Sequence, residues 1–133
     1  MNDILKLLEH FHGHLGPYAV IGYKMGVIAK QVLGSNPFDT EAVVWTGLQP
    51  PLSCVIDGIQ LGSGCTLGKG NITVKNSGEA KAEFTDKTGK KVEITLKSKI
   101  RTEIDTTVTE DNIAEYSQQL YEKSDRELFD IKT

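Results

Sequence analysis

Two histidines near the start of the chain carry its first candidate chemistry. His12 and His14 lie in the segment FHGHLGP, at positions 11–17. In an extended segment, side chains two residues apart point to the same side, so both imidazoles would approach one point. Imidazole is a common ligand of transition metals, but an isolated His-x-His pair also occurs in turns that bind nothing. His10, at the end of the first predicted helix, is expected to be exposed to solvent.

Both cysteines lie in a second reactive region. Cys54 opens the segment CVIDGIQ, and Cys65 lies in the glycine-rich segment GCTLGKGN. Free cysteine is often a small buried residue, an interpretation that suits Cys54 better than Cys65. A helix N-terminus, however, lowers the pKa of a thiol and favours the thiolate that binds metal. Two histidines and two cysteines from separate segments could therefore form an open metal site of mixed nitrogen and sulfur ligands. Its four predicted ligands are His12, His14, Cys54 and Cys65.

Asp57 and Lys69 are the candidates for catalysis and for cofactor binding. Asp57 follows Cys54 by about one helical turn, so it could shuttle a proton or orient a metal ligand, or simply cap or pair locally. Lys69, in the glycine-rich loop, could neutralise an anionic group or be an ordinary solvated lysine. The loop is not a triphosphate-binding motif, because Ser63 replaces its first glycine and Gly70 replaces its Ser or Thr.

The spacing of apolar residues predicts the elements that position these side chains. In some segments the apolar residues recur at helical spacing, and in others they alternate with polar residues as in strands. Turn residues separate these segments. A βαβ crossover would make the first two strands parallel, and the later strands would form an antiparallel meander. The pattern thus predicts an α+β fold built on a mixed β-sheet. The predicted strands lie near 41–47, 71–76, 80–86 and 90–99, and the predicted helices near 17–33 and 52–62, with a short helix after Asn2 and a final helix from Thr109 or Asp111.

Two glycines one turn apart mark one face of the first long helix. Gly22 and Gly26 each cost about 1 kcal/mol relative to alanine in a helix interior. We therefore expect this face to approach another backbone closely. Such a face, together with an amphipathic C-terminal helix, favours a homodimer, the commonest soluble assembly.

Size and charge restrict the classes of protein to which the chain can belong. A length of 133 residues predicts a single domain over residues 1–133. The formal net charge of -3 provides no basic field for nucleic acid or anionic lipid. The sequence shows no stretch suited to a membrane span and no export signal. Two cysteines without such a signal favour free thiols and a cytoplasmic location.

Three segments in order resemble the E-subunit family of formylmethanofuran dehydrogenase. They are FHGHLGP with the glycines that follow it, CVIDGIQ at 54–60, and GCTLGKGN at 64–71. The resemblance implies a helix–strand–helix–three-strand core with a mixed sheet, here with additional N- and C-terminal helices. It also implies a divalent transition metal near the histidine and cysteine segments, zinc foremost and nickel as the alternative.

The chain departs from the family pattern at two places. Gly16 stands where the family usually has a cysteine, and Tyr18 follows Pro17 where the family has glycine. The C-terminal cysteine-rich zinc module of many members is absent from this sequence, since no cysteine follows Cys65. The missing thiolate is expected to weaken metal binding or to leave a position for water or an external ligand.

The resemblance and the residues together support three functions. The first is a metal-binding domain that assists a redox enzyme or handles its metal or cofactor, with redox-enzyme subunits or a small molecule as partner. The second is a stand-alone metal-dependent enzyme with a His/Cys site. The third is a metal-free module that binds an anionic group or cofactor. Fold alone does not decide among them, because function depends on the site.

Overall fold

The computed structural model describes residues 2–133 and has the expected α+β architecture, with six α-helices and a five-stranded sheet in the described part. Short connections join most neighbouring elements. In chain order the elements are α1 (Asp3–His12), α2 (Pro17–Leu33), a 3-10 turn (Pro37–Asp39), β1 (Thr40–Val44), α3 (Cys54–Ser63), β2 (Ile72–Val74), β3 (Lys81–Asp86), β4 (Lys91–Leu96), α4 (Ser98–Thr107), α5 (Ile113–Glu122), α6 (Asp125–Leu128) and β5 (Phe129–Lys132).

The sheet is mixed and has the strand order β2-β1-β3-β4-β5. β1 and β2 pair in parallel, with Ala42 opposite Ile72, which confirms the predicted crossover through α3. The other neighbouring pairs are antiparallel. Alternate residues of β3 and β4 are buried against the helices, while residues such as Lys81 and Glu93 pair on the opposite face.

α2 and α3 pack backbone to backbone, as the glycine spacing predicted. A Cβ atom at Gly22 would overlap the carbonyl oxygen of Val55, and one at Gly58 would overlap that of Ala19. Gly26 and Gly62 continue the same contact one turn later. Because the partner of this glycine face is α3 of the same chain, the face provides no surface for a homodimer.

The C-terminal part differs from the prediction. The last predicted strand ends at Leu96 rather than near residue 99, and α4 begins at Ser98. Ile100 and Ile104, one helical turn apart, are both buried, so the alternation of apolar residues gives way to helical spacing here. The predicted final helix begins at Ile113, and β5 was not predicted. No helix within residues 2–133 is both long and apolar enough to cross a membrane.

Candidate functional site

A sharp turn between α1 and α2 positions the two histidines. The side chain of Asn2 caps the start of α1, and Gly13 ends the helix with a φ of 104°, a conformation that favours glycine. Gly16 and Pro17 then begin α2, with proline at a position that suits it. The histidine segment therefore lies directly before the N-terminus of α2.

The rings of His12 and His14 stack on one another. Their centroids are 5.1 Å apart and their planes differ by 30°. The expectation of an extended segment is wrong for His12, which is the last residue of α1. The turn at Gly13 brings the two rings together instead. The side chain of His12 is only 9% exposed, while His10 and His14 belong to the exposed residues.

Asp57 forms a hydrogen bond with His12. Its Oδ2 atom lies 2.6 Å from Nδ1 of the imidazole. Since an ionised carboxylate only accepts hydrogen bonds, Nδ1–H donates, and Nε2 is an acceptor whenever the ring carries a single proton. The two residues are 45 positions apart in the chain, so Asp57 contacts a predicted site residue rather than merely capping its own helix. Within residues 2–133, Nε2 of His12 has no hydrogen-bond partner from the chain.

A cavity of about 210 Å³ joins these histidines to Cys54. Three of the four predicted metal ligands therefore share one space. The other walls are largely apolar and come from the start of α2, the loop before α3, α4 and α5. The lining residues are His12, His14, Gly16, Pro17, Tyr18, Pro51, Cys54, Ile104, Asp105, Val108 and Ile113.

Cys54 is a neutral thiol in this environment. Burial raises the pKa of Cys54, and the negative charge of Asp57 raises it further. These effects outweigh the helix N-terminus, which was expected to lower it. Cys54 therefore has to lose a proton before it can act as a metal ligand.

Cys65 does not reach the cavity. It is fully buried, and its thiol donates a hydrogen bond to the carbonyl oxygen of Thr40 over 3.5 Å. Burial also raises the pKa of Cys65. The loop after α3 folds this side chain into the core, with the Cys65 N–H donating to Ser63 Oγ. The four predicted ligands thus do not form one cluster.

Lys69 lies in a different depression. Its side chain is exposed, and Nζ is 5.5 Å from the centre of the Phe38 ring. Asp39, Glu41 and Asp86 line the same depression. Lys69 therefore has negative neighbours, and the structure places it outside the lining of the histidine cavity.

Gly16 lies directly against the imidazoles. A Cβ atom at this position would lie 3.3 Å from Cε1 and 3.5 Å from Nε2 of His14, and 3.8 Å from Cδ2 of His12. The backbone at Gly16 is extended, with φ -117° and ψ 152°, so an L-residue could adopt it. A side chain here would face both rings, and the His14 ring would have to shift by a few tenths of an ångström to admit it.

Tyr18 and Asp105 form a second polar pair in the cavity wall, which the sequence did not indicate. The Tyr18 hydroxyl donates to Oδ1 of Asp105 over 2.6 Å. Burial, and then the contact with Asp105, raise the pKa of Tyr18. Asp105 belongs to α4, a helix that the apolar pattern did not predict, and only the fold brings it to the start of α2.

The donor set restricts how a metal ion could be held. Among the described residues, no three or more His, Cys, Asp or Glu side chains are grouped as a metal site. Two imidazoles face the cavity, Cys54 is protonated, and Gly16 supplies no donor. A closed structural zinc site requires four protein ligands and does not fit. The residues fit only an ion whose coordination is completed by solvent or by a bound ligand.

Comparison with known families and structures shows the family to which the chain belongs. The model of the family described as "FmdE, Molybdenum formylmethanofuran dehydrogenase operon" matches residues 11–130. The chain belongs to the FmdE family. The matched range includes every residue that lines the cavity.

Two FmdE-like or related proteins show how far the similarity extends. A crystal structure of a tungsten formylmethanofuran dehydrogenase E-subunit (FmdE)-like protein from Syntrophus aciditrophicus has the same fold, with a TM-score of 0.68 and 18% identity, over 98% of this chain and 69% of that one. A curated protein of Archaeoglobus fulgidus, a probable S-adenosyl-L-methionine-binding protein, is 32% identical over 82 residues. That alignment covers 59% of this chain and 22% of the relative.

Proposed function

We propose that this FmdE-family domain binds a divalent transition metal ion, zinc or nickel, through His12 and His14, and that the open side of the ion receives a small molecule. The observation that carries the proposal is the hydrogen bond between Asp57 and His12. Metal-binding histidines commonly donate their second ring N–H to a carboxylate, which fixes the ring and raises the basicity of the ligating nitrogen. Here that arrangement leaves Nε2 of His12 available next to the stacked ring of His14.

The residues around the two imidazoles have separate roles in this proposal. Asp57 keeps the proton of His12 on Nδ1. Cys54 stays a neutral thiol and can become a ligand only by releasing its proton to solvent. A bound zinc or nickel ion would supply positive charge and exchangeable coordination positions. The apolar wall excludes bulk water from one side of the site.

An accessory role in metal or cofactor handling fits this arrangement. Two protein ligands hold an ion less firmly than the four of a structural site, so the ion or its ligand can exchange. We propose a redox enzyme as the partner that uses the ion or cofactor, in keeping with the description of the family. The Lys69 depression has no part in this role.

A stand-alone enzyme is the second candidate, and the Asp57–His12 pair also favours it. A histidine oriented by a carboxylate can act as a general base. Turnover by the isolated, metal-loaded domain that is lost in His12→Ala would support an enzyme. Metal binding without turnover on candidate substrates, followed by transfer to an apo-enzyme partner, would support the accessory role.

Metal titration of the purified protein tests the proposed site. Isothermal titration with zinc and with nickel, together with element analysis, should give about one ion per chain for the parent. His12→Ala and His14→Ala should lose this binding, and Cys54→Ser, which replaces a neutral thiol, should largely keep it. His10→Ala is the matched control, because His10 is an exposed histidine outside the cavity lining.

Cys65→Ser distinguishes metal binding in the cavity from a four-ligand site that includes Cys65, as the sequence predicted. Because Cys65 is buried away from the cavity, a folded variant should bind metal as the parent does. If folded His12→Ala and His14→Ala both keep the parent's metal content, the proposed site is wrong.

A further inference from the structure

We propose that the metal-free cavity binds a short aliphatic amine in its protonated form. An N–H group of the amine donates to Nε2 of His12, and the carboxylate of Asp105 selects the positive charge. The amine and the metal ion of the proposed function would compete for the same ring nitrogen, but the amine site does not depend on the ion.

One buried side chain of the cavity wall has a hydrogen-bonding atom without a partner. His12 is 9% exposed, and Asp57 occupies its Nδ1. In the part of the chain that the structure describes, Nε2 of His12 has no partner, and the ring lines the cavity. With the proton held on Nδ1, Nε2 can only accept a hydrogen bond. Because the ring is otherwise buried, a ligand in the cavity has to supply the donor.

The pair of Tyr18 and Asp105 in the same wall also accepts hydrogen bonds. Tyr18 is 3% exposed, and its hydroxyl donates to Oδ1 of Asp105 over 2.6 Å. Since this donation uses the hydroxyl proton, the pair offers a ligand only oxygen lone pairs. Oδ2 of Asp105 lies 3.9 Å from Nε of Arg101, in an ion pair that is exposed to solvent and therefore weak. Asp105 thus keeps most of its negative charge.

The cavity wall contains no basic side chain that balances Asp105. The lining residues that belong to 2–133 include no lysine or arginine, and Asp105 is their only aspartate or glutamate. Cys54 is a neutral thiol. The charge of Asp105 therefore attracts a cation and repels an anion of equal size. An ammonium group has three N–H donors and no acceptor, so it matches both His12 and Asp105.

The rest of the cavity suits a short hydrocarbon chain. Its walls include Pro17, Pro51, Ile104, Val108 and Ile113, and its volume is about 210 Å³. Apolar walls with a few polar groups are typical of small-molecule sites, in which the polar groups set the orientation. The carbon chain of the amine would contact these apolar residues while its ammonium group meets the two acceptors.

Butylamine hydrochloride is a suitable probe, with 1-butanol and butyrate as comparisons of similar size. Imidazole ¹⁵N NMR of the metal-free protein should show a saturable shift at Nε2 of His12, with a Kd on the order of 1 mM. The exposed ring of His10 is the internal control and should not shift. Butanol can donate to Nε2 but lacks the charge, so it should bind several-fold more weakly, and butyrate more weakly still. Absence of a saturable shift at His12, or tighter binding of butyrate, would overturn the proposal.

Asp105→Asn tests the selection of charge. The amide keeps an oxygen that can accept from Tyr18 but removes the negative charge, so the affinity for butylamine should fall several-fold, towards that for butanol. Asp130→Asn, the same change in β5 and outside the cavity lining, should leave both affinities unchanged. An undiminished preference for butylamine over butanol in folded Asp105→Asn would refute the role of Asp105. If this variant does not fold, the order of the three affinities in the parent decides.

His12→Phe tests the hydrogen bond to the ring. Phenylalanine keeps an aromatic ring of similar shape but has no nitrogen, so butylamine should bind about tenfold more weakly or worse. His10→Phe, the same change at an exposed position, should bind butylamine as the parent does. Equal affinities in the parent and folded His12→Phe would contradict the use of Nε2. If His12→Phe does not fold, the ¹⁵N shift at His12 in the parent decides.

Zinc binding, measured separately and without amine, distinguishes this site from the proposed function. If zinc does not bind, the proposed function fails, while the amine titration stands because it is made without metal. If butylamine does not bind the metal-free protein, the amine site fails and the metal site is unaffected. In a protein that does bind zinc, zinc loading should abolish the butylamine shift at His12. A shift at Nε2 of His12 that persists in the zinc-loaded protein would show that the two ligands do not share this nitrogen.

Discussion

The hydrogen bond from His12 to Asp57 determines which ring nitrogen faces the cavity. Replacement of the carboxylate by an amide keeps the size of the side chain but removes its charge. Asp57→Asn should therefore lower zinc affinity about tenfold or more, as measured by isothermal titration. Asp39→Asn, which removes a carboxylate paired with Lys87 in another part of the molecule, is the control. Equal zinc affinity in Asp57→Asn and the parent would show that His12 does not use this arrangement.

The thiol of Cys54 should react slowly at neutral pH. Burial and the charge of Asp57 raise its pKa, so the thiolate that attacks alkylating reagents is scarce. The rate of iodoacetamide labelling, followed by mass spectrometry, should keep rising above about pH 8.5, where a free thiol would level off. Asp57→Asn should shift this profile towards lower pH. A profile that levels off below the value of a free thiol would contradict the raised pKa.

Cys65 serves as the internal comparison for that experiment. It is fully buried, so it should remain unlabelled in the folded protein and react only after denaturation. Labelling of both cysteines at the same rate would mean that the region around Cys65 opens readily.

At the scale of the elements, the contact between α2 and α3 has no space for a side chain. Gly58→Ala would place a methyl group against the carbonyl oxygen of Ala19, so the two helices would have to separate. We expect a loss of about 2 kcal/mol or more in the free energy of unfolding, although alanine is the better helix former. Urea denaturation measures this change.

Gly68→Ala is the control for that variant. Its Cβ would meet only Thr66 Oγ1, at 4.0 Å. The free energy of unfolding should change little. A Gly58→Ala protein as stable as the parent would show that the two helices can separate at little cost.

The sequence predicted the central elements well because their signals are local. Gly22 and Gly26 are costly in a helix unless a backbone lies opposite, and the alternation of apolar residues marks β3 and β4. α4 was missed because the alternation of β4 continues past its end to Ile100, and because threonines dilute its helical pattern. β5 was missed because its pairing with β4 is a tertiary contact.

For the whole molecule, several buried groups should make stability fall at alkaline pH. The pKa values of Cys54, Cys65 and Tyr18 are raised in the folded state, chiefly by burial. The stability that these groups contribute is complete below their unfolded pKa values and is lost as the pH rises towards the folded ones. Lys24, whose pKa burial lowers, acts in the opposite direction.

The free energy of unfolding should therefore be nearly constant around neutrality and decrease above about pH 8.5. Urea denaturation at a series of pH values measures it. In Cys54→Ser, the free energy of unfolding should fall less steeply just above this pH, because the variant lacks one of the two thiols that titrate there. Stability that rises steadily from neutral to alkaline pH would refute this interpretation.

The homodimer stays a prediction, but the glycine face of α2 no longer supports it. The glycine face of α2 is covered by α3 of the same chain. Leu7 and Phe11 of α1 are 49% and 50% exposed and offer a different apolar surface. Light scattering at micromolar concentration should report two chains, and Leu7→Glu should return the protein to one. A parent protein that is monomeric under these conditions would end the prediction.

The candidate site was only partly visible in the sequence. His12, His14 and Cys54 stand in short segments with distinctive residue types, and the structure lines one cavity with them. Cys65 stands in an equally distinctive segment, yet its glycines fold it into the core. Asp105 has no local signal at all, because an exposed acidic residue of a helix acquires a place in the cavity only when that helix packs.

The outermost strands of the sheet influence how copies of this molecule meet. β2 has only three residues, and β5 carries Asp130 and Lys132. Short, charged border strands offer a poor template for the backbone of another chain. Further copies of the protein should therefore not add to the sheet by edge-strand pairing. Even at high protein concentration, the solution should remain free of cross-β fibres.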